Sequence, residues 1–333
     1  MINILAIESS CDETSASVIS DGKVLNNVIA NQTIHEHYGG VVPELASRAH
    51  QQNIVPVVDK ALKEVSMSKQ DLSAVAFTRG PGLLGSLLIG TSFAKSFALA
   101  LDIPLIEVNH IQAHVLAHFI DEPKPKFPFL CLTVSGGHTQ IVLVKDFLKM
   151  EVLGQTQDDA VGEAFDKAAK ILGLPYPGGA LIDKYAQEGN PLAYSFPEVS
   201  MPELNFSFSG IKTAFLYFIQ ENTKANSHFI EENLNDICAS LQYTLVKILL
   251  QKLKRAAREL KINEIAIAGG VSANSGLRNS LQELALKEKW NVYIPAFQYC
   301  TDNAGMIAMA AHYKYLAGEF CGQEVSPLAR MAF

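Results

Sequence analysis

The sequence is poor in the features that mark several protein classes. Its five cysteines, Cys11, Cys131, Cys238, Cys300 and Cys321, are scattered and form no C-x-x-C pair. That argues against a disulfide framework or a zinc ribbon and fits a reducing cytoplasm. No apolar run reaches the ~18 residues of a membrane span. The opening MINILAIESS has no basic n-region, so it reads as a strand and not as a secretory signal. Basic residues are in deficit: 27 Lys and Arg against 34 Asp and Glu give a formal net charge of −7. This excludes nucleic-acid binding over the whole surface, though not through a local patch. The densest basic stretch is KLKRAARELK, 252–261, for which a solvated helix face is the expected fate. Low-complexity tracts and long linkers are missing too.

What is present is apolar residues, 48% of 333, enough for a large core and about two domains. A repeat organises them. Residues 2–30 read as strand INILAIE, turn SSCDE, strand TSASVIS, turn Asp21-Gly22 and strand KVLNNVIA. Residues 127–157 repeat the plan with PFLCLTVS, GGH, TQIVLVK, a turn at Asp146 and MEVLGQTQ. Helical segments follow in both halves, and each half then offers two further strand-to-helix steps, giving β-β-β-α-β-α-β-α twice. The expectation is an α/β fold of two similar halves around a cleft, with ligands gathered beyond the strand C-termini. The expected boundaries are 1–123 for the first half and 124–302 for the second, hinged at DEPKPKFP, 121–128. A C-terminal helix within 303–330 is expected to pack back on the first half, and 185–215 stands outside the repeat as an excursion.

In HIQAHVLAH, His110 and His114 are one helical turn apart and fit a metal pair, whereas His118 lies ~12 Å from His110 along the rise. Imidazoles at this spacing also cap helices or sit hydrogen-bonded in cores. A zincin protease is excluded, because the position after His110 is Ile111 where a general-base Glu is required. RGPGLLG carries G-x-G-x-x-G at Gly80, Gly82 and Gly85, with Glu107 ending the next strand. Three β-segments precede it, so a glycine loop bringing backbone close to a ligand is the better reading than a dinucleotide fingerprint. The turns SSCDET and VSGGHT occupy matching places and can present N–H groups to a phosphate, or be ordinary tight turns. In GEAFDKAAKILGLPYPGGALIDKYA, PYPGG breaks the helix, and Asp166 and Asp183 can accept from ribose hydroxyls or be solvated carboxylates. In AGGVSANSG, Ser272 or Asn274 can cap the helix that follows, whose N-terminus favours an anion.

Seven blocks carry a resemblance: GGVVPELASRAH, KSFALALDIPLIEVNHIQAHV, VSGGHT, GEAFDKAAKILGLPYPGG, FSFSGIKT, AGGVSAN and CTDNAGMIA. Over nearly its whole length the chain resembles the TsaD family of bacterial tRNA threonylcarbamoyladenosine-modifying proteins, formerly described as O-sialoglycoprotein endopeptidases. The resemblance implies the duplicated fold of actin, sugar kinases and heat-shock-70 proteins. It implies transfer of a threonylcarbamoyl group from threonylcarbamoyl-AMP to the exocyclic amine of adenosine 37, in tRNAs reading codons that begin with A. Carried over by motif, the metal ligands are His110, His114 and Asp302, for one divalent ion, Fe2+ or else Zn2+. The substrate-binding positions are Val134, Ser135, Gly136, Gly137, His138, Asp166, Gly179, Asp183 and Asn274. No general base is assigned, and an already activated adenylate can react through positioning and a Lewis acid. The repeat matches VNHIQAH with QYCTDNAG, so Asp302 is expected to face the histidines from the opposite half. The implied partners are tRNA, a TsaB-like paralogue and a TsaE-like ATPase, in the cytoplasm and away from membranes. The competing classes are an ATP-hydrolysing or phosphoryl-transferring enzyme of the same fold and a non-catalytic nucleotide-binding scaffold. One departure stands out: Glu198 follows the excursion's Phe-Pro where the family commonly has a basic residue, which puts a role there in gripping tRNA in doubt.

Overall fold

The computed structural model describes residues 1–199 and 201–333, with the backbone alone at Thr33 and Glu36. Ser200, inside the expected excursion, lies outside the described residues. The chain forms two compact units. The first comprises 1–124, 146–150 and 295–333, and the second 125–145 and 151–294.

The first unit opens with β1 (Asn3–Glu8), β2 (Thr14–Ser20), β3 (Lys23–Val24), β4 (Val28–Ala30) and α1 (Pro43–Glu64). It continues with β5 (Ala74–Gly80), α2 (Leu84–Leu101), β6 (Leu105–Asn109) and α3 (His110–Leu116). The strand order is β3-β2-β1-β5-β6, with β4 also on β2. β1 runs antiparallel to β2 and parallel to β5. It is buried at every residue, as the apolar run INILAIE requires of a central strand. The Asp21-Gly22 hairpin forms as expected, with positive φ at both residues (44° and 81°). The single strand expected over KVLNNVIA is instead split into β3 and β4. Asn26 is the cause: its side chain accepts from Val18 N at 2.9 Å and donates to Ala61 O, replacing a backbone ladder bond. Leu5, Ile7, Val75 and Phe77 of the sheet pack with Ile54, Val57 and Ala61 of α1 and Ala94 and Ala98 of α2. By length and hydropathy alone α2 would suffice to cross a membrane, although Lys95 and its hydroxyl residues break the apolar run. Here it lies along α1 and β5.

The second unit contains β7 (Phe129–Val134), β8 (Thr139–Asp146), β9 (Lys149–Gln155), α4 (Val161–Ile171) and α5 (Gly178–Ala186). Then come α6 (Ser209–Ala225), α7 (Phe229–Leu260), β10 (Glu264–Ala268), α8 (Ser275–Glu288) and β11 (Asn291–Tyr293). Its order, β11-β10-β7-β8-β9, repeats that of the first sheet strand for strand. The chain then forms α9 (Ala304–Leu316), which packs on β1, β2, β6 and α3 of the first unit. The return to that unit begins at Pro295, earlier than the boundary expected at 302/303, and takes Asp302 with it.

The excursion is less of a loop than its composition suggests. Phe206 bridges Thr156 in parallel and exchanges backbone bonds with Gln155 and Gln157, extending the β9 edge. Phe196, Phe206 and Phe208 are buried in the core of the second unit. Glu198 pairs with Lys247 of α7 at 2.6 Å and accepts from Gln251, so its charge ties the excursion down. The basic stretch of α7 is likewise spoken for. Lys254 and Arg258 pair with Glu288, Arg255 pairs with Glu259, and Lys252 donates to the carbonyls of Met201 and Glu203.

Asp158 starts α6, accepting from Phe208 N at 2.8 Å and from the hydroxyls of Ser207 and Ser209. Partial burial raises its pKa, but these hydrogen bonds outweigh that and hold it below the ordinary 3.8. A depressed folded pKa gives stability that is present above 3.8 and lost as pH falls through the folded value. Asp158→Asn is therefore expected to be less stable than wild type at neutral pH. The difference should close below pH 3.8, as read by denaturant unfolding at a series of pH values.

Candidate functional site

In the first unit, β6 ends in Asn109, whose Oδ1 accepts from Ile111 N (2.9 Å) and Gln112 N (3.2 Å) and so caps α3. That fixes His110 in the first helical turn and His114 one turn on, with ring centroids 4.8 Å apart and ring planes at 88°. Before α9 the same device recurs: Asn303 Oδ1 accepts from Met306 N at 2.9 Å, and Asp302 precedes the cap. Asp302 Oδ1 lies 3.2 Å from Nε2 of both His110 and His114. One ligand atom from each of the three falls within 4.8 Å of the others, so the set can hold a single ion. Both imidazoles are buried. Burial alone would raise the pKa of Asp302, but the His110 charge and the hydrogen bonds from both histidines hold it well below the carboxylate range. Two imidazoles and one carboxylate suit Fe2+ or Zn2+ better than Mg2+, so the donor set fits a transition metal.

Behind His110 stands Glu8, the fully buried end of β1. Its Oε2 lies 3.1 Å from His110 Nδ1 and accepts from Thr78 Oγ1, while Oε1 accepts from Ser10 N. Ser10 Oγ also lies 3.1 Å from His110 Nδ1. His114 Nδ1, by contrast, has no hydrogen-bond partner among the described residues. Glu13 is pushed up to about 9, by burial first and then by the charges of Asp302 and Asp12. Burial and the Asp302 charge also push the Cys11 thiol up, so it is no thiolate nucleophile.

In the second unit the turn after β7 closes on itself. Ser135 N donates to His138 O at 2.8 Å, and His138 N donates to Ser135 Oγ at 3.0 Å. A side chain at Gly136 or Gly137 would meet no atom within 4 Å, whereas one at Gly162 would strike Ser135 O at 2.6 Å. α4 therefore begins hard against this turn. Asp166 of α4 accepts from Gly178 N (3.0 Å) and Gly179 N (2.9 Å), capping α5. Burial raises its pKa, partly offset by these two amides. Asp183 of α5 accepts from Ser275 N (2.9 Å) and Ser275 Oγ (2.7 Å), tying α5 to the start of α8. Asn274 caps α8 through Leu277 N and donates to Gln242. Gly269, at φ 89°, passes so close to Val134 that a side chain would meet its carbonyl at 2.5 Å.

A family model described as "TsaD: tRNA N6-adenosine threonylcarbamoyltransferase" matches residues 23–309. The chain belongs to the TsaD family. A protein of Cytophaga hutchinsonii named tRNA N6-adenosine threonylcarbamoyltransferase is 62% identical over 330 residues, covering 99% of this chain and 96% of its own. One of Christiangramia forsetii with the same name is 62% identical over 335 residues, covering 100% and 98%. Among solved structures, component A of (R)-2-hydroxyglutaryl-CoA dehydratase from Acidaminococcus fermentans superposes with a TM-score of 0.56 at 13% identity, covering 95% of this chain and 100% of that one. That likeness concerns the fold alone, the duplicated α/β fold of actin, sugar kinases and heat-shock-70 proteins.

For this TsaD-family chain, two expectations need correction. His110, His114 and Asp302 do converge, but within the first unit and not from opposite halves, because the chain has already returned by Pro295. The glycines of RGPGLLG make room for the chain's own backbone: a side chain at Gly80 would strike Leu328 O at 2.0 Å, and one at Gly82 would strike Ser10 O at 2.4 Å. Glu107 is bound to Arg79 at 2.8 Å. Asp166, Asp183 and Asn274 all carry capping duties. Sequence reasoning missed Glu8, although a carboxylate closing an otherwise apolar strand was a usable signal. His110→Ala, His114→Ala and Asp302→Ala are each expected to lose most bound metal by elemental analysis. His118→Ala, whose imidazole is outside the three-residue group, should retain it.

Proposed function

We propose that this chain, as a TsaD-family tRNA N6-adenosine threonylcarbamoyltransferase, takes threonylcarbamoyl-AMP as donor and adenosine 37 of tRNAs reading codons that begin with A as acceptor. The observation that carries the reading is the convergence of His110, His114 and Asp302 on one point, backed by a buried carboxylate. These three residues would hold one divalent ion, Fe2+ in our reading, which supplies Lewis acidity toward phosphate or carbonyl oxygen. In the transfer, the adenosine N6 attacks the carbamoyl carbonyl carbon, a C–N bond forms, the C–O bond to phosphate breaks, and AMP leaves as the N6 proton is lost to solvent. The donor is already activated, so the chain's task is to orient it and to stabilise the leaving phosphate.

In this reading the second unit holds the nucleotide. Asp166 and Asp183 accept from ribose hydroxyls, with Gly179 beside Asp166. Asn274 and the 134–138 turn face the phosphate or the threonylcarbamoyl group. The open space beside Gly136 and Gly137 supports this, as does the capping of α5 by Asp166 Oδ1, which does not use Oδ2. A phosphoryl-transfer reading is not favoured, because relatives at 46–62% identity over nearly the whole chain share the transferase name. The test is to incubate the chain with threonylcarbamoyl-AMP and unmodified tRNA, following AMP release and the modified nucleoside by mass. ATP turnover without nucleoside modification would overturn the proposal. Asp166→Ala should raise KM for the donor about tenfold or more, as expected for a lost hydrogen bond to a carboxylate.

The proposed partners are a TsaB-like paralogue of the same fold and a TsaE-like ATPase, and the proposed setting is the cytoplasm, which suits five free cysteines. On α2, Leu84, Leu88 and Leu99 are exposed along one stripe at helical spacing, with exposed Val55 on neighbouring α1. A helix pair of the paralogue would cover this apolar face. Leu88→Asp should weaken that association more than tenfold, in a pull-down or titration with the paralogue, while leaving the melting temperature unchanged.

A further inference from the structure

Three atoms around Glu8 set what its carboxylate does. Oε1 takes the N–H of Ser10, and Oε2 takes the hydroxyl of Thr78 at 2.6 Å. The remaining capacity of Oε2 points to His110 Nδ1 at 3.1 Å. The group is wholly buried, so no solvent competes for it. The opposite ring nitrogen, His110 Nε2, is the one aimed at Asp302. A neutral imidazole whose Nδ1–H is held by a carboxylate presents Nε2 as a lone pair, which is the form a metal ion requires.

We propose that Glu8 is a positioning residue of the metal centre: it accepts the Nδ1 proton of His110 and so aims an unprotonated Nε2 at the ion. This rests on the reading of His110, His114 and Asp302 as ligands. The arrangement is one-sided, since His114 Nδ1 has no partner among the described residues to fix its tautomer. His110 is thus the prearranged ligand and His114 the adaptable one. Ser10 Oγ reaches the same Nδ1 at 3.1 Å, but it lies beside a stronger, ionised acceptor.

The isosteric variant Glu8→Gln separates this role from a structural one. An amide has a single acceptor oxygen. If that oxygen kept His110, its NH2 would face the Ser10 N–H, donor against donor. The favoured orientation gives the oxygen to Ser10 and turns the NH2 toward Nδ1. The imidazole proton is then driven to Nε2, where it blocks the metal. Titrating the full-length chain with Co2+, followed by the d–d absorption of the bound ion, should show affinity 10–100-fold lower for Glu8→Gln. Ser10→Ala should stay within about twofold of wild type, the Glu8 bond being kept. The metal-free variant should melt below wild type, because it loses the Glu8–His110 pairing that holds Glu8 ionised, so the titration is run well below its melting temperature. Glu8→Gln with Co2+ affinity within twofold of wild type, whatever its stability, would overturn the proposal. So would a loss of affinity in Ser10→Ala matching that of Glu8→Gln. Wild-type chain that takes up no Co2+ at all would overturn the metal reading beneath it.

Discussion

A helix that starts where a strand ends leaves its first amides without partners, and in this chain side-chain oxygens take them up wherever chemistry is concentrated. Asn109 does so for α3, Asn303 for α9, Asn274 for α8, Asp166 for α5 and Asp158 for α6. Each cap is worth about 0.5–2 kcal/mol, and it also sets the direction of its neighbours. The metal set shows what this achieves. His110 follows the cap Asn109, and Asp302 precedes the cap Asn303. Two capped helix starts, brought together by α9 packing on α3 and β6, place three donors around one point.

The same device holds the polar residues of the second unit in place. Asp166 and Asp183 are held by backbone amides, so their carboxylates stay in place without a ligand. A group that must both cap a helix and meet a substrate is already desolvated and oriented, which lowers the entropy lost on binding. The cost is that substitution there affects folding as well as affinity. Measurements on these two residues have to separate the two effects.

The duplicated strand order was legible because each strand is marked by apolar alternation and each turn by Gly, Asp or Asn, signals local in sequence. The pairing of His110 with His114 was legible for the same reason. What escaped were facts decided by distant contacts. The return of the chain at Pro295 depends on α9 finding β1 and β2, which no local pattern announces. The split of β3 from β4 rests on Asn26 reaching Val18 and Ala61. The glycines of RGPGLLG were read toward a ligand, because sequence shows that backbone comes close to something without showing to what. For Gly80 that something is Leu328, nearly 250 residues away, and for Gly82 it is Ser10. In KLKRAARELK the basic residues were visible, but not the Glu288 that takes up two of them.

The matching turns SSCDET and VSGGHT have been driven apart chemically. Around the first, Glu8 and Asp302 are both kept ionised, burial notwithstanding, by one imidazole lying between them. Glu13, close by, is pushed up to about 9 and so carries a proton at neutral pH. One more negative charge beside these carboxylates would be too costly, and protonation is the cheaper outcome. Such a site repels a phosphate and attracts a cation. A divalent ion on His110, His114 and Asp302 would supply the positive charge while leaving His110 neutral at Nε2. The second turn has no carboxylate in it, and beside Gly136 and Gly137 the space is open. Amides there can face an anion directly. The sequence repeat made both turns look like halves of one phosphate site. The carboxylates around the first leave that capacity to the second, and fit the first for a cation.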